Sequence, residues 1–198
     1  MRPQTTLPYA LSFVMAVVLI AAACSPATKV NNDPAYGSTT AYIISTKQLQ
    51  SDKIPDSVFR LINLRRLTVN GGGCNAATKP NANCWMLREI PAEIASLQQL
   101  LTLELKANDL QAVPQELSYL LKLKTLDLSD NPRLTQINPI TKLVNLEYLY
   151  LYGCDLQVLP ADLSGLVNLK QLGLAGNRIG ITEQERIKAA LPGCKVTF

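Results

Sequence analysis

The chain has 198 residues, with 19 lysines and arginines against 15 aspartates and glutamates, and it contains no histidine. The basic residues are scattered along the sequence rather than gathered into a stripe, which argues against nucleic-acid binding. The lack of histidine also removes the most common general base and the most common metal ligand.

The first 23 residues have the pattern of a secretory signal peptide. Arg2 is the only charge before an apolar run from Leu7 to Ala23, and small residues precede Cys24. The ending LIAAAC resembles a bacterial lipobox, in which the cysteine is lipidated and becomes the first mature residue. An uncleaved membrane anchor is the alternative, because 17 apolar residues lie at the lower edge of the length needed for a span.

Residues 24–40 are predicted to be a disordered tether. The segment is polar and holds two prolines and few large apolar side chains, so it cannot bury enough surface to fold alone. About 160 residues remain, which is enough for one domain over residues 41–198.

A repeat of 23 residues runs through this domain. Four segments share one pattern, LLTLELKAN, LKTLDLSDN, LEYLYLYGC and LKQLGLAGN, with leucine at positions 0, 3 and 5. Position 8 is held by Asn108, Asn131, Cys154 and Asn177. A period of roughly 20 to 29 residues with this spacing is the signature of a leucine-rich repeat solenoid.

Each repeat is expected to form one short strand and a convex return. Side chains alternate along a strand, so positions 3 and 5 point inward and positions 2, 4 and 6 point to the concave face. The asparagine at position 8 is expected to pair with backbone groups of neighbouring coils. Apolar residues at positions 17 and 20 suit one helical turn on the convex side.

Both ends of the repeat array are predicted to be capped. Before the first repeat, which starts at Leu64, residues 42–44 would form the strand of a degenerate coil. After the last repeat, Thr182 and Glu185 would form a capping box for a final helix, and residues 194–198 would add a last strand. An insertion over about residues 71–86 interrupts the first repeat.

This architecture resembles the 23-residue class of leucine-rich repeats found in many bacterial surface proteins and in the plant disease-resistance and Ras-binding groups. The resemblance covers residues 41–198 and implies an α/β solenoid of about five repeats plus caps. A short parallel sheet would line the concave face, with helical turns or loops on the convex face. The fold alone does not identify the partner.

The other cysteines have separate interpretations. Cys74 and Cys84 stand at the two ends of the insertion, and a disulfide between them would contribute roughly 2–3 kcal/mol in an oxidising compartment. Cys154 in the asparagine column is expected to be a buried free thiol. Cys194 would lie too far from Cys154 for a disulfide. No C-x-x-C pair is present, so a zinc site is not expected.

The candidate binding residues lie on the concave face. Tyr148, Tyr150 and Tyr152 would share the exposed side of one strand, and tyrosine is enriched among interface hot spots. The small residues Gly173 and Ala175 on the next coil would leave a shallow depression beside them. The alternative is that the tyrosines only stabilise the sheet, because tyrosine pairs well across strands.

Charged residues add to the same face, namely Arg66, Glu104, Lys106 and Asp127. They would orient a polar partner, or, in the alternative interpretation, form a solvated surface that contributes little. The insertion, with Trp85 at its exit, is a second candidate contact because long loops are often functional.

No catalytic signature is present in the sequence. It has no G-x-S-x-G elbow, phosphate-binding loop or cluster of metal ligands. Glu104 and Asp127 on adjacent coils resemble a glycosidase pair, but an open sheet face offers no pocket to raise one pKa. We therefore expect neither an enzyme nor a cofactor.

These patterns lead to one functional expectation. The chain would be a monomeric, lipid-anchored protein of the bacterial cell envelope, with the outer membrane as the expected location, that binds a protein or peptide on its concave face. A structural spacer without a ligand, and a binder of cell-wall glycan that stacks sugars on the tyrosines, are the alternatives.

Overall fold

The computed structural model describes residues 39–71 and 85–198, which build successive coils around one parallel sheet. Within these two ranges, seven strands pair in the order in which they occur along the chain. They are β1 Ala41–Ser45, β2 Arg66–Asn70, β3 Thr102–Glu104, β4 Thr125–Asp127, β5 Tyr148–Tyr150, β6 Gln171–Gly173 and β7 Lys195–Thr197.

Several predictions fall outside the described residues. The signal peptide, the lipidation of Cys24 and all but the last residues of the tether lie in 1–38. Cys74 and Cys84 lie in 72–84, and so does most of the insertion. These assignments stay predictions. None of the helices that the structure describes is long and apolar enough to cross a membrane.

The inward-facing leucines are confirmed. Parallel register places equal repeat positions side by side, so Leu103 pairs with Leu126 and Leu149 pairs with Leu172. All four side chains are at most 1% exposed. Fully burying a leucine contributes roughly 1.5–3 kcal/mol, so the repeated leucines are the main reason the coils stack. The strand of the capping coil, β1, is confirmed over the predicted residues.

The convex side is formed by short 3₁₀ helices. Four described coils have one, at Asp56–Arg60, Ala92–Ser96, Gln115–Tyr119 and Asn138–Lys142. In three of them a proline precedes the helix and fixes the backbone φ angle at the entry. The predicted helical turn is therefore confirmed for these coils.

The coil that follows β5 departs from that prediction, because residues 161–170 form turns and no helix. Leu166 still donates its N–H to the carbonyl of Leu163 at 3.0 Å. The Asp162 carboxylate accepts the N–H of Ser164 at 2.9 Å, and such local side-chain bonds compete with helix formation.

Two α-helices of the described residues flank the repeats, α1 Thr46–Leu49 and α2 Ile181–Ala190. A capping box starts α1, since Ser45 and Gln48 bond each other's backbone N–H groups. The capping box predicted for α2 at Thr182 and Glu185 is wrong. That helix begins at Ile181 after Gly180, so Thr182 already lies inside the first turn and cannot cap it.

The start of α2 is instead held by an ion pair. The Glu183 carboxylate accepts from the Arg186 guanidinium at 2.7 Å and from the backbone N–H of Leu159 at 2.9 Å. The pKa of Glu183 is lowered, chiefly by the hydrogen bond from Arg186. Arg186 also donates to the backbone carbonyls of Leu159, Pro160 and Ala161. This pair therefore ties the terminal helix to the preceding coil.

The asparagine column forms the predicted buried ladder. Asn131 is 0% exposed, and its amide nitrogen donates to the carbonyls of Leu105 and Leu128 at 3.0 and 2.8 Å. Its amide oxygen accepts the N–H of Leu110 at 3.1 Å. Asn108 and Asn177 repeat this arrangement. Each asparagine thus satisfies backbone groups of two successive coils that would otherwise be buried without partners.

Candidate ligand-binding face

The concave face presents rows of side chains that run across the strands. In the middle row, Glu104 pairs with Asp127, Asp127 with Tyr150, and Tyr150 with Gly173. The row therefore changes from carboxylate to aromatic ring to glycine. The inward row of the same four strands, β3 to β6, is leucine throughout.

The three tyrosines lie on the concave side, as predicted. Tyr148 and Tyr150 are partly exposed on either side of the buried Leu149, and Tyr152 follows just beyond β5. The rings of Tyr150 and Tyr152 are stacked, with centroids 5.8 Å apart and planes 18° apart. Stacked aromatic pairs are held by about 0.5–1.5 kcal/mol beyond their buried area. The structure therefore presents an ordered aromatic pair with Tyr148 beside it.

The predicted depression at Gly173 is wrong, because Tyr152 fills it. A β-carbon added to Gly173 would lie 2.2 Å from Cζ of Tyr152 and 2.4 Å from its hydroxyl oxygen. Gly173 is consequently buried although it belongs to the concave row. Glycine at this position therefore leaves room for the Tyr152 ring against the next strand. No sequence pattern announces this contact, since it depends on which way one side chain leans.

The hydroxyl of Tyr150 stays protonated at neutral pH. Partial burial raises its pKa, and the neighbouring Tyr152, Tyr148 and Asp127 act in the same direction. A protonated phenol both donates and accepts a hydrogen bond. Tyr150 therefore offers a ligand an apolar ring and a neutral polar group.

On β2 and β3, Arg66 and Glu104 form a charged pair. Nη1 of Arg66 lies 3.3 Å from Oε1 of Glu104, and the Thr68 hydroxyl donates to Oε2 at 2.9 Å. Arg66 keeps about half of its side chain exposed, at 49%, against 26% for Glu104. The carboxylate is thus fixed by two neighbours while the guanidinium remains open to a partner. No sequence pattern indicates the hydrogen bond from Thr68 to Glu104.

Asp127 connects this charged part to the tyrosines. Its carboxylate accepts the backbone N–H of Ser129 at 3.0 Å, and the Ser129 hydroxyl accepts the N–H of Tyr152 at 3.3 Å. The two bonds fix the chain at the ends of β4 and β5. Lys106, one coil earlier, is exposed and forms no ion pair with any other described residue. The face therefore joins a mixed-charge part to an aromatic part.

This arrangement is suited to recognition. Glu104 and Asp127 lie side by side across β3 and β4, but each carboxylate is bonded by its own protein partners. Both are on an open sheet face. Within residues 39–71 and 85–198, no three histidine, cysteine, aspartate or glutamate side chains are grouped as metal ligands would be.

Among the described residues, Cys154 is a free thiol, as predicted, and Cys194 is free as well. Cys154 is buried in the ladder column, and Cys194 is partly buried. The Cys154 thiol donates to the carbonyl of Leu128 at 3.2 Å, which replaces one bond of an asparagine. Burial raises the pKa of Cys154 to about 11. It is therefore an unreactive core residue rather than a nucleophile.

Comparison with known proteins supports the same fold. The leucine rich repeat family matches residues 98–156. No curated protein sequence gives a significant match. Among solved structures, a leucine-rich repeat protein of Leptospira interrogans is 30% identical, with a TM-score of 0.63 over 74% of this chain and 34% of the other.

Two further structures extend the comparison. An internalin of Listeria monocytogenes is 19% identical, with a TM-score of 0.56 over 74% of this chain and 40% of its own length. A plant peptide hormone receptor, RGFR1, in complex with RGF2, is 27% identical, with a TM-score of 0.51 over 71% and 21%. The chain thus spans well under half the length of each protein. Together the parallel sheet, the convex helical turns and these matches show that the chain has the α/β solenoid fold of leucine-rich repeats.

Proposed function

We propose that the chain binds a protein or peptide on its concave face, with Tyr148, Tyr150 and Tyr152 as the main contacts. The observation that carries this proposal is the stacked pair of Tyr150 and Tyr152, partly exposed on an open sheet face. Leucine-rich repeat solenoids typically bind along this extended face. Large aromatic side chains give contact area at low entropic cost, because they have few rotatable bonds.

The geometry favours a ligand with an apolar part and a charged part. An apolar side chain of the ligand would pack on the Tyr150 and Tyr152 rings, while Arg66 and Lys106 would attract a carboxylate. A segment that runs across the strands would reach both parts, since neighbouring strands lie about 4.8 Å apart. The complex of the plant receptor RGFR1 with RGF2 supports a peptide or protein ligand for this fold.

We further propose that a lipid on Cys24 anchors the protein to the bacterial cell envelope. The apolar run before Cys24 and the LIAAAC ending support this location. The polar segment 25–38 would then separate the solenoid from the anchor.

A peptide selected from a random library against the purified chain tests the ligand proposal. Tyr150→Ala should weaken binding of that peptide by about 2 kcal/mol, or roughly 30-fold, because a central aromatic contact is lost. Titration calorimetry measures the affinity. Tyr119→Ala is the matched control, since Tyr119 is 56% exposed on the convex side and should leave binding unchanged.

A second variant, Gly173→Ala, displaces the ring of Tyr152 without removing a tyrosine. In Gly173→Ala the new methyl group would overlap Cζ of Tyr152, which lies at the free end of its side chain and can rotate away. Folding stability should therefore change little, while affinity for the selected peptide should fall several-fold. If both Tyr150→Ala and Gly173→Ala bind the peptide as tightly as the unaltered chain does, the concave face is not the contact surface. A spacer role is then favoured.

A further inference from the structure

An exposed apolar stripe runs along the edge of the solenoid where the strands begin. Ile62, Leu121, Val144 and Val167 each stand two residues before the first leucine of their coil and are 62%, 55%, 42% and 73% exposed. Gln98 takes this position in the remaining coil. A single exposed apolar residue is ordinary, but the same position in the three successive coils of Leu121, Val144 and Val167 makes a continuous surface, from which Gln98 separates Ile62.

Lysines lie beside the last three residues of this stripe. Lys124 and Lys170 both donate to the carboxylate of Glu147, at 2.9 and 2.6 Å. The lysine side chains are 56% and 63% exposed, whereas Glu147 is 19% exposed. The carboxylate therefore lies beneath two ammonium groups, and Lys122 adds a third, bonded to the neutral side chain of Gln99. The outer layer of this edge is positively charged.

The backbone of this edge is satisfied internally. Asn145 donates its amide to the carbonyl of Leu121, and Asn168 donates to the carbonyl of Val144, each at 2.8 Å. These bonds fix successive coils at a regular spacing. The edge consequently offers a partner a regular row of short apolar side chains and ammonium groups rather than free backbone groups to pair with.

The chain also enters the solenoid at this edge. The carbonyl of Thr40, directly before β1, accepts the N–H groups of Arg65 and Arg66 at 2.8 and 3.0 Å. The segment that leads back to Cys24 therefore leaves from the side on which the strands begin. Even fully extended, residues 25–38 span at most about 50 Å.

We propose that this edge lies on an anionic membrane surface. The edge is defined by Leu121, Val144 and Val167 with Lys122, Lys124 and Lys170. Short apolar side chains enter the headgroup region, while lysines keep their stems along apolar surface and their charges at the phosphates. The inference rests on the lipid anchor proposed above but requires no ligand on the concave face. In this orientation the concave face would open to the side and would not contact the bilayer.

Amine labelling of the full chain in vesicles tests this orientation. The chain is reconstituted into vesicles of phosphatidylcholine with or without phosphatidylglycerol, treated with an acylating reagent and read by peptide mass spectrometry. We expect at least fivefold protection of Lys122, Lys124 and Lys170 in the vesicles that contain phosphatidylglycerol. Lys106 on the concave face and Lys188 on α2 serve as control lysines and should label equally in both.

A set of variants separates the stripe from a general surface effect. The triple variant Leu121→Ser, Val144→Ser and Val167→Ser should lose the protection, whereas Val158→Ser, at a valine 66% exposed elsewhere, should keep it. Circular dichroism confirms that each variant is folded.

Three results would overturn the inference. They are equal protection in purely zwitterionic vesicles, unchanged protection in the triple variant, and the same protection by polyglutamate on detergent-solubilised chain without vesicles. The last result would assign the edge to an acidic protein. Failure of the tyrosine variants to alter peptide binding would leave this footprint unaffected, so the two proposals fail separately.

Discussion

The inward and outward rows of the same strands follow opposite rules. From β3 to β6 the inward row is Leu103, Leu126, Leu149 and Leu172, and the outward row beside it is Glu104, Asp127, Tyr150 and Gly173. Each of these inward residues pairs with a leucine on both neighbouring strands, except that Leu172 meets Val196 of β7 on one side. The outward residues have different neighbours, and all except Gly173, which Tyr152 covers, are partly exposed to solvent. Positions with the same residue in every coil therefore hold the coils together, and positions whose residue varies from coil to coil are available for binding.

Adjacent residues of β5 give the sharpest test of this contrast. Leu149→Ala should lower the free energy of unfolding by about 3 kcal/mol, because Leu149 is 1% exposed and its removal leaves a cavity. Tyr150→Ala should cost less than about 1 kcal/mol, since mainly the stacking with Tyr152 is lost. Urea unfolding followed by circular dichroism measures both. Equal losses would show that the tyrosines are structural and would remove the contrast.

The ladder column offers a comparison within the interior. Asn131→Ala should destabilise the chain by about 2.5 kcal/mol, because the carbonyl of Leu105 and the N–H of Leu110 lose a buried partner. Cys154→Ala should cost only about 1 kcal/mol, since the thiol makes weaker bonds. Urea midpoints of the two variants provide the measurement. A cost for Cys154→Ala as large as that for Asn131→Ala would contradict the assigned hydrogen bonds.

Alkaline pH should lower the stability that Cys154 contributes to the folded chain. Desolvation raises the thiol pKa from 9.0 to about 11, so the folded state favours the protonated form. The corresponding stability is fully present below pH 9 and is lost as the pH rises towards 11. Relative to Cys154→Ala, the unaltered chain should lose about 2 kcal/mol across this window. A constant difference in unfolding midpoint between the two proteins from pH 8 to pH 11 would refute the assignment.

The exposed ion pairs of Glu147 with Lys124 and Lys170 should contribute least to folding stability. Hydrogen bonds from Lys170 and then Lys124 lower the pKa of Glu147, so its contribution is present above the ordinary glutamate pKa and is lost as the pH falls through the lowered value. Glu147→Gln should therefore destabilise the chain slightly at pH 7 and not at all in strong acid. The effect should shrink in 1 M salt, because exposed ion pairs are screened. Unfolding midpoints at both pH values and both salt concentrations check this, and a difference that persists in acid would contradict it.

Most of the fold could be predicted because its physical requirements recur with a fixed period. A leucine at positions 3 and 5 and an asparagine at position 8 each solve the same packing or hydrogen-bonding problem in every coil. The structure departs from the predicted pattern only where a local interaction replaces the expected one. Asp162 bonds Ser164 where a helical turn was expected, and α2 begins at Ile181 without the predicted cap. Such events have no repeated signal in the sequence.

The candidate site could be predicted only in part, for a related reason. The alternation of side chains along a strand correctly placed Tyr148, Tyr150 and the charged residues on one face. It gives no information on side-chain rotamers, so the stack of Tyr150 on Tyr152 and the filled position above Gly173 emerged only from the structure. The same alternation places Thr68 and Ser129 on this face, but not their hydrogen bonds, because their hydroxyls act on neighbours in adjacent coils, far away in the sequence.

The single cysteine in the ladder has a mechanical consequence for the whole array. Cys154 lies two residues after Tyr152, and its thiol supplies a donor to the preceding coil without the amide oxygen that Asn108, Asn131 and Asn177 supply. Because this junction lacks one ladder hydrogen bond, we expect the coils of β4 and β5 to separate first when the stack is pulled. A ligand that contacts both coils on the concave face would hold this junction together. Bound ligand would therefore increase the resistance of the chain to pulling and to proteolysis.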